Sequence, residues 1–289
     1  MIDLHLHTTC SDGKDTIEEL ISNVKNAGVE YFSITDHDTA RAGREILSNE
    51  ALQNKIKENG LKYVTGCEFS CIFDSQEMHI LAYDFDPFAP EVAEIEVKFA
   101  KLLKEKDDFR LREIESRYKL SDKSYKYLDS KENVRKLDFA NCLVNDGYFA
   151  NVDEACQQYL NKMHYDGPDR LDAVYVVETM TKIGAKMVWA HSLHGVTDKP
   201  ISHAEVEYYA RQLKQHGLAG LECYYSLYNK EEIEKLVEIA EKLDLIVTCG
   251  SDYHGKNKPV KLAMFSSDGT IPNFEKVGVQ KLFKNNIVL

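Results

Sequence analysis

The residues of this chain that could do chemistry are histidines and carboxylates set at intervals along it: His5, His7, Asp12, His37, Glu68, His79, His191, Asp252 and His254. Neutral imidazole mixed with carboxylate suits zinc, manganese or iron, whereas magnesium and calcium favour all-oxygen shells. Nine such residues are too many for one ion. They suit two or three divalent metals (Mn, Zn or Fe), with a carboxylate such as Glu68 shared between them. Metals about 3.5–4 Å apart can hold one hydroxide, lower its pKa towards neutrality and clamp the non-bridging oxygens of a phosphate. That chemistry needs no nucleophilic side chain, and the sequence contains no P-loop, no G-x-S-x-G elbow and no dinucleotide fingerprint.

The spacing supports convergence. His5-Leu6-His7 puts two imidazoles at i and i+2 of a predicted strand, on one face. Asp12 follows in a Ser11-Asp12-Gly13 turn. Thr35-Asp36-His37-Asp38, Gly66-Cys67-Glu68-Phe69-Ser70, Ala190-His191-Ser192 and Gly250-Ser251-Asp252-Tyr253-His254 each close an apolar run, and His79 lies within one. Any of these histidines alone reads more simply as a core residue satisfied by a hydrogen bond. The coincidence is what points to a site, because six of the ten histidines lie in or at the ends of predicted strands. Of the others, His164, His203 and His216 read as solvated, and His194 lies just past a ligand position.

The elements that would position these residues are seven short apolar runs: residues 2–6, 31–35, 62–67, 78–82, 186–190, 218–223 and 245–249. Their length and β-branched content predict buried parallel strands. Helical patterns lie between several of them. Thr16 and Glu19 form a capping-box pattern ahead of Ile17, Leu20, Ile21 and Val24, with Gly28 as the stop, and Asn229 can cap a later helix. The alternation predicts an α/β barrel whose C-terminal strand ends carry the site. It fails over residues 86–181, a charged, helix-rich stretch read as an insert between the fourth and fifth strands that covers the site and selects substrate. The barrel domain is then 1–85 with 182–289.

A net charge of −12 argues against a general binder of long nucleic acid, whose affinity comes from Lys and Arg on phosphates, and no dense basic track is visible. Three bound divalent cations would return six positive charges, so the sign of the field at the site does not follow from the total. Seven scattered cysteines, no signal peptide and no membrane-length apolar run are read as a cytoplasmic protein with reduced thiols.

Taken together, H-x-H with a following Asp at 5–12, T-D-H-D at 35–38, G-x-E-x-S at 66–70, M-H-I-L at 78–81, A-H at 190–191 and S-D-x-H at 251–254 resemble the PHP family, the polymerase and histidinol phosphatase superfamily. The resemblance spans most of the chain. It implies a distorted (β/α)7 barrel with a trinuclear centre, and a partition of ligands. One metal would take His5, His7, Glu68 and Asp252; a second Glu68, His79 and His191; a third Asp12, His37 and His254. Stand-alone members include nucleoside 3′,5′-bisphosphate phosphatases, a 5′-to-3′ exoribonuclease and histidinol phosphatases.

There are departures. The stand-alone enzymes usually carry Pro after the fifth-strand His and often an Arg two residues on. Here the run is His191-Ser192-Leu193-His194, so His194 takes the place of that phosphate-binding Arg, and a second family Arg is Asn141. Arg135, Lys136, Lys162 and His194 are the candidate substrate contacts.

The function so read is hydrolysis of a phosphate monoester of a small molecule, a nucleotide first, by a metal-bridging hydroxide held among Glu68, His79, His191 and Asp252. The alternatives are an exonuclease-type phosphodiesterase on short nucleic acid, a histidinol phosphatase, or a metal-binding module without turnover. The complete ligand set speaks against the last.

Overall fold

The computed structural model describes residues 1–131, 134–194 and 200–282. Their contacts fall into two compact units, Met1–Glu96 with Arg170–Leu289, and Val97–Asp169.

The first unit is built on eight strands: β1 (Ile2–Leu6), β2 (Tyr31–Ile34), β3 (Lys62–Phe73), β4 (Gln76–Tyr83), β5 (Leu171–Asp172), β6 (Lys186–Trp189), β7 (Leu218–Tyr225) and β8 (Ile246–Gly250). They form one sheet in the order β1-β2-β3-β4-β6-β7-β8, with β5 paired to β3. Beyond β8 the chain returns to β1. Asp252 N–H donates to the His5 carbonyl at 2.9 Å and His7 N–H to the Tyr253 carbonyl at 3.0 Å. The distorted barrel expected from the sequence is therefore present, with its seam between β8 and β1.

One strand departs from the all-parallel expectation. β4 runs antiparallel to both β3 and β6. β3 extends well past Cys67 and turns straight into β4 through Asp74 and Ser75, both at positive φ. Two central residues with φ > 0 give a hairpin turn whose twist matches the strands it joins. An apolar run carries no direction, so the reversal was invisible in the run itself.

The helices are α1 (Ile17–Asn26), α2 (Arg41–Ser48), α3 (Glu50–Glu58), α4 (Pro90–Glu115), α5 (Asp122–Asp129), α6 (Lys136–Asn145), α7 (Val152–Gln158), α8 (Ala173–Lys182), α9 (His203–Lys214), α10 (Lys230–Lys242) and α11 (Val279–Leu282). The capping box at Thr16 and Glu19 is formed, as are boxes at Ser202 and Asn229. Amphipathic α1 buries Ile17, Leu20, Ile21 and Val24, which pack with Leu6, Phe32, Ile34 and Ile46. α8 and β5 belong to the first unit, although they lie in the 86–181 stretch.

The second unit has its own core. Ile114, Leu120, Leu128, Phe139, Leu143, Ala155 and Tyr159 are buried together. Tyr118 packs edge-on against Phe149 and Tyr159. Among the described residues no helix is long and apolar enough to cross a membrane.

The seam depends on a buried acid. Asp3 accepts the Ser251 N–H at 2.9 Å on one oxygen and the Ala263 N–H at 2.9 Å on the other. In Asp3→Ala both N–H groups lose that partner, at about 1–3 kcal/mol each. Urea denaturation is expected to show a loss of about 2–5 kcal/mol. A change within ~0.5 kcal/mol, the usual scale for surface substitutions, would mean that the backbone bonds alone hold the seam.

Candidate metal centre

Six separate segments of the first unit deliver the nine residues. β1 carries His5, and His7 sits just past its end, both fully buried. Asp12 lies in the following loop and His37 just past β2. Glu68 is in the middle of β3, fully buried. The hairpin register pairs Glu68 with Leu81 and Ser70 with His79, so Glu68 and His79 share a face. His191 follows β6, while Asp252 and His254 follow β8.

All nine come together, and Glu68 is the hub. One carboxylate oxygen lies 3.1 Å from His5 Nε2, 3.2 Å from His7 Nε2 and 3.2 Å from His37 Nδ1. The other lies 2.8 Å from His79 Nδ1 and 3.0 Å from His191 Nε2. Asp252 Oδ1 stands 3.2 Å from His7 Nε2 and 3.5 Å from His5 Nε2. On the far side of His7, Asp12 Oδ1 lies 3.2 Å from His254 Nε2 and 3.9 Å from His37 Nε2.

The donor set fits divalent metals. His5 Nε2, His7 Nε2, His37 Nδ1, His254 Nε2 and Glu68 Oε2 are buried and lack a hydrogen-bond partner among the described residues. Buried polar atoms are normally satisfied, so five orphans facing one another mark a place for something else. Three groups have donor atoms close enough to share an ion: His5, His7, Glu68 and Asp252; His7, Asp12, His37 and His254; and His37, Glu68 and His79. The first matches the partition implied by the family resemblance. The second adds His7 to the expected trio. The third brings in His37, while His191 Nε2 also stays within 3.2 Å of His79 Nδ1.

Without metal, the cluster balances its charge with protons. Burial works against the charged forms of Glu68 and Asp252, yet neighbouring imidazoles, His5 above all, hold both carboxyls well below their usual range. Asp12 is also held low against its burial, by the nearby imidazoles of His254, His37 and His7. Burial pulls His5 down, but Glu68, Glu222 and Asp252 outweigh it and push its pKa well up. His7 is likewise raised to about 9 against its burial, by Asp252 and Glu68. His37 and His79 are lowered, chiefly by burial and then by neighbouring imidazoles.

Several supporting residues were not picked out from the sequence. Glu222 on β7 is fully buried; it contacts His5 Nδ1 at 3.0 Å and accepts the His191 N–H at 2.8 Å. It thereby orients two of the nine. Gly250 makes room for it, since a Cβ there would stand 2.2 Å from His5 Cβ and 2.7 Å from Glu222 Oε1. Asp36 accepts the Thr8 N–H at 2.8 Å and the Ser11 hydroxyl, shaping the loop that holds Asp12. Asp38 accepts the Ser70 N–H at 2.7 Å and is pushed up to about 7, mainly by burial. Asp252 Oδ2 takes the Lys258 amine at 2.9 Å and the Tyr225 hydroxyl at 3.2 Å. The one available signal for Glu222 was a lone carboxylate in an otherwise apolar strand.

The candidate substrate contacts lie outside this cluster's contacts. His194 Nε2 lies 3.6 Å from Glu232 Oε1. Arg135, Lys136 and Lys162 belong to the second unit, where the Arg135 backbone N–H donates to Asp138 Oδ2 at 2.9 Å at the start of α6 and Lys136 Nζ donates to Asn161 Oδ1 at 2.9 Å. Glu222 yields a direct prediction. Residues that orient metal-binding histidines typically contribute 10–100-fold to metal affinity. Glu222→Gln is therefore expected to weaken the metal binding of the folded protein by about tenfold or more in a chelator competition titration. Unchanged affinity would remove Glu222 from this role.

Comparison with known proteins agrees with this geometry. A curated 5′-3′ exoribonuclease of Haemophilus influenzae is 27% identical over 95% of this chain and 98% of its own length. A phosphoribosyl 1,2-cyclic phosphate 1,2-diphosphodiesterase of Eggerthella lenta is 28% identical over 88% of this chain and 94% of its own. A solved Bifidobacterium adolescentis structure, described as a candidate metal-dependent phosphoesterase, superposes with a TM-score of 0.71 at 22% identity, covering 92% of this chain and 93% of that one. The family model for the PHP domain matches residues 3–257. With its barrel, its strand-end histidines and this match, the chain belongs to the PHP domain family.

Proposed function

We propose that this metal-dependent phosphoesterase hydrolyses a phosphate monoester of a small molecule, a nucleotide first among them. The observation that carries the proposal is the convergence of five imidazoles on the single buried carboxylate of Glu68, at 2.8–3.2 Å. A side chain so surrounded suits a bridge between cations. In the proposed partition His5, His7, Glu68 and Asp252 hold one metal, Glu68, His79 and His191 a second, and Asp12, His37 and His254 a third. When bound, such ions would supply Lewis acidity towards a phosphoryl oxygen and a nucleophile at neutral pH. The mixed imidazole and carboxylate donors suit Mn, Zn or Fe.

The chain's own groups prepare that chemistry. Glu222 holds the ring of His5 and the backbone N–H of His191 from behind, and Asp36 anchors the loop carrying Asp12. Tyr225 and Lys258 occupy the outer oxygen of Asp252, leaving the inner one to the cluster. Arg135, Lys136, Lys162 and His194 are proposed to contact the substrate, with the stretch 86–181 selecting it. A reducing cytoplasm is the proposed compartment, supported by seven free cysteines, none of them paired in a disulfide. A second reading, 5′-to-3′ cleavage of short RNA, is favoured by the likeness to the Haemophilus influenzae 5′-3′ exoribonuclease.

Turnover tests the first reading. Mn²⁺-loaded protein is expected to release phosphate from a panel of p-nitrophenyl phosphate, adenosine 3′,5′-bisphosphate and histidinol phosphate. His7→Ala should lower this by ~100-fold or more, given the loss of metal affinity. No turnover of any ester, with the variant indistinguishable, would sink the enzyme reading; cleavage of a 5′-phosphorylated RNA alone would favour the second.

Protons provide an independent test. A raised His7 pKa near 9 means that the metal-free protein carries a proton there at pH 7.5, which a metal must displace. Metal binding should therefore release protons, and affinity should climb as pH rises towards about 9. Calorimetry in buffers of different ionisation enthalpy checks this. For metal-free protein the sign is opposite. A folded pKa above the unfolded 6.5 gives stability that is full below pH 6.5 and is lost as pH approaches 9. Metal binding without proton release would contradict the protonated cluster.

A further inference from the structure

The two oxygens of Asp252 meet different surroundings. Oδ1 stands 3.2 Å from His7 Nε2, 3.5 Å from His5 Nε2 and 3.3 Å from His254 Nδ1. Oδ2 accepts the Lys258 amine at 2.9 Å and the Tyr225 hydroxyl at 3.2 Å. These two donors reach it from separate elements. Tyr225 is the last residue of β7, and Lys258 follows the short turn Gly255–Asn257 beyond His254. Glu68, the other carboxylate of the same four-residue group, differs: imidazoles meet both of its oxygens.

Little freedom is left to the Asp252 carboxylate. Its backbone N–H is tied to the His5 carbonyl at 2.9 Å, with the residue at φ +57. The Tyr225 ring is buried and packs at 5.3 Å from the His191 ring and 5.2 Å from that of Tyr228, so packing aims its hydroxyl. At neutral pH a phenol donates and an ammonium can only donate. Bonds from such groups to a carboxylate are among the stronger ones. A divalent ion seeking Oδ2 as well as Oδ1 would have to displace both donors and stand beside a positive charge. Ions differ in how much they need that second oxygen. Calcium takes about six to eight oxygens and often uses both oxygens of one carboxylate. Zinc is satisfied by four donors and accepts imidazole among them.

We propose that Tyr225 and Lys258 select the metal: by holding Asp252 Oδ2 they limit Asp252 to one ligating oxygen, which turns the centre towards zinc-like ions and against calcium. Both are positioning residues that act through Asp252. The proposal rests on the metal-centre reading and sharpens it. His5, His7, Glu68 and Asp252, each offering one atom, make a set of four donors. Two imidazoles and two single carboxylate oxygens suit zinc, and they leave calcium short of oxygen. Releasing Asp252 Oδ2 would add an oxygen to that set and narrow the difference.

Titrations of the full chain with Zn²⁺, by chelator competition, and with Ca²⁺, by calorimetry, measure the preference as a ratio of affinities. The variant is Tyr225→Phe with Lys258→Met, which keeps the aromatic ring and the long stem but removes both donors. Groups that orient metal ligands contribute about 10–100-fold to affinity, so the zinc-to-calcium ratio is expected to fall by about tenfold or more. A merely structural role would weaken both ions alike. An unchanged ratio would therefore overturn the proposal, even if both affinities dropped. Lys258→Met alone alters an exposed side chain and should move the ratio in the same direction, so it decides the matter if the double variant does not fold. Wild type that binds neither ion would overturn the metal-centre reading together with this inference, a result distinct from an unchanged ratio in a protein that binds zinc. The titrations need no turnover, so a protein that cleaves nothing would fail the proposed function while the metal preference was still decided.

Discussion

Everything in the barrel is arranged around one electrostatic problem: a fully buried carboxylate, Glu68, ringed by five imidazoles with Asp252 and Asp12 alongside. Removing so many ionisable groups from water is costly unless each charge is matched. Matching can come from protons shared among His5 and His7 or from divalent ions, and only ions also satisfy the orphaned nitrogens. The cluster is therefore unfinished as protein alone, and the fold has to hold it open against its own tendency to repel or collapse.

The holding is done from behind and from the backbone. Glu222 fixes two of the histidines, Asp36 fixes the loop of Asp12, and Asp3 ties the seam where β8 returns to β1. Three residues of the site region, Asp38, His191 and Asp252, sit at positive φ, where a side chain is strained. Such strain persists only where the surroundings over-determine it. At His191 the surroundings are explicit, because Glu222 accepts its N–H from one side and Glu68 meets its ring from the other.

Much of this was legible in the residues. Strand-forming runs that end in His, Asp or Glu announce a barrel site because parallel strands all present their C-terminal ends to one face. The capping signals at Thr16 and Asn229 set where helices begin, since those side chains have a local hydrogen-bonding job. Other features depend on partners distant in sequence. Glu222 looks like any charged residue on a strand until β8 brings Gly250 and β1 brings His5 against it. The direction of β4 is fixed by a turn at Asp74 and Ser75 that contains no glycine.

That hairpin also sets where the chain can change length. Most of the nine residues reach the cluster through helices and loops that can absorb an added or missing residue. Glu68 and His79 have no such slack, being joined by two strands in fixed register and a tight turn. Because side chains alternate along a strand, slipping that register by one residue would send His79 to the opposite face. The hairpin is thus the segment least tolerant of insertion or deletion.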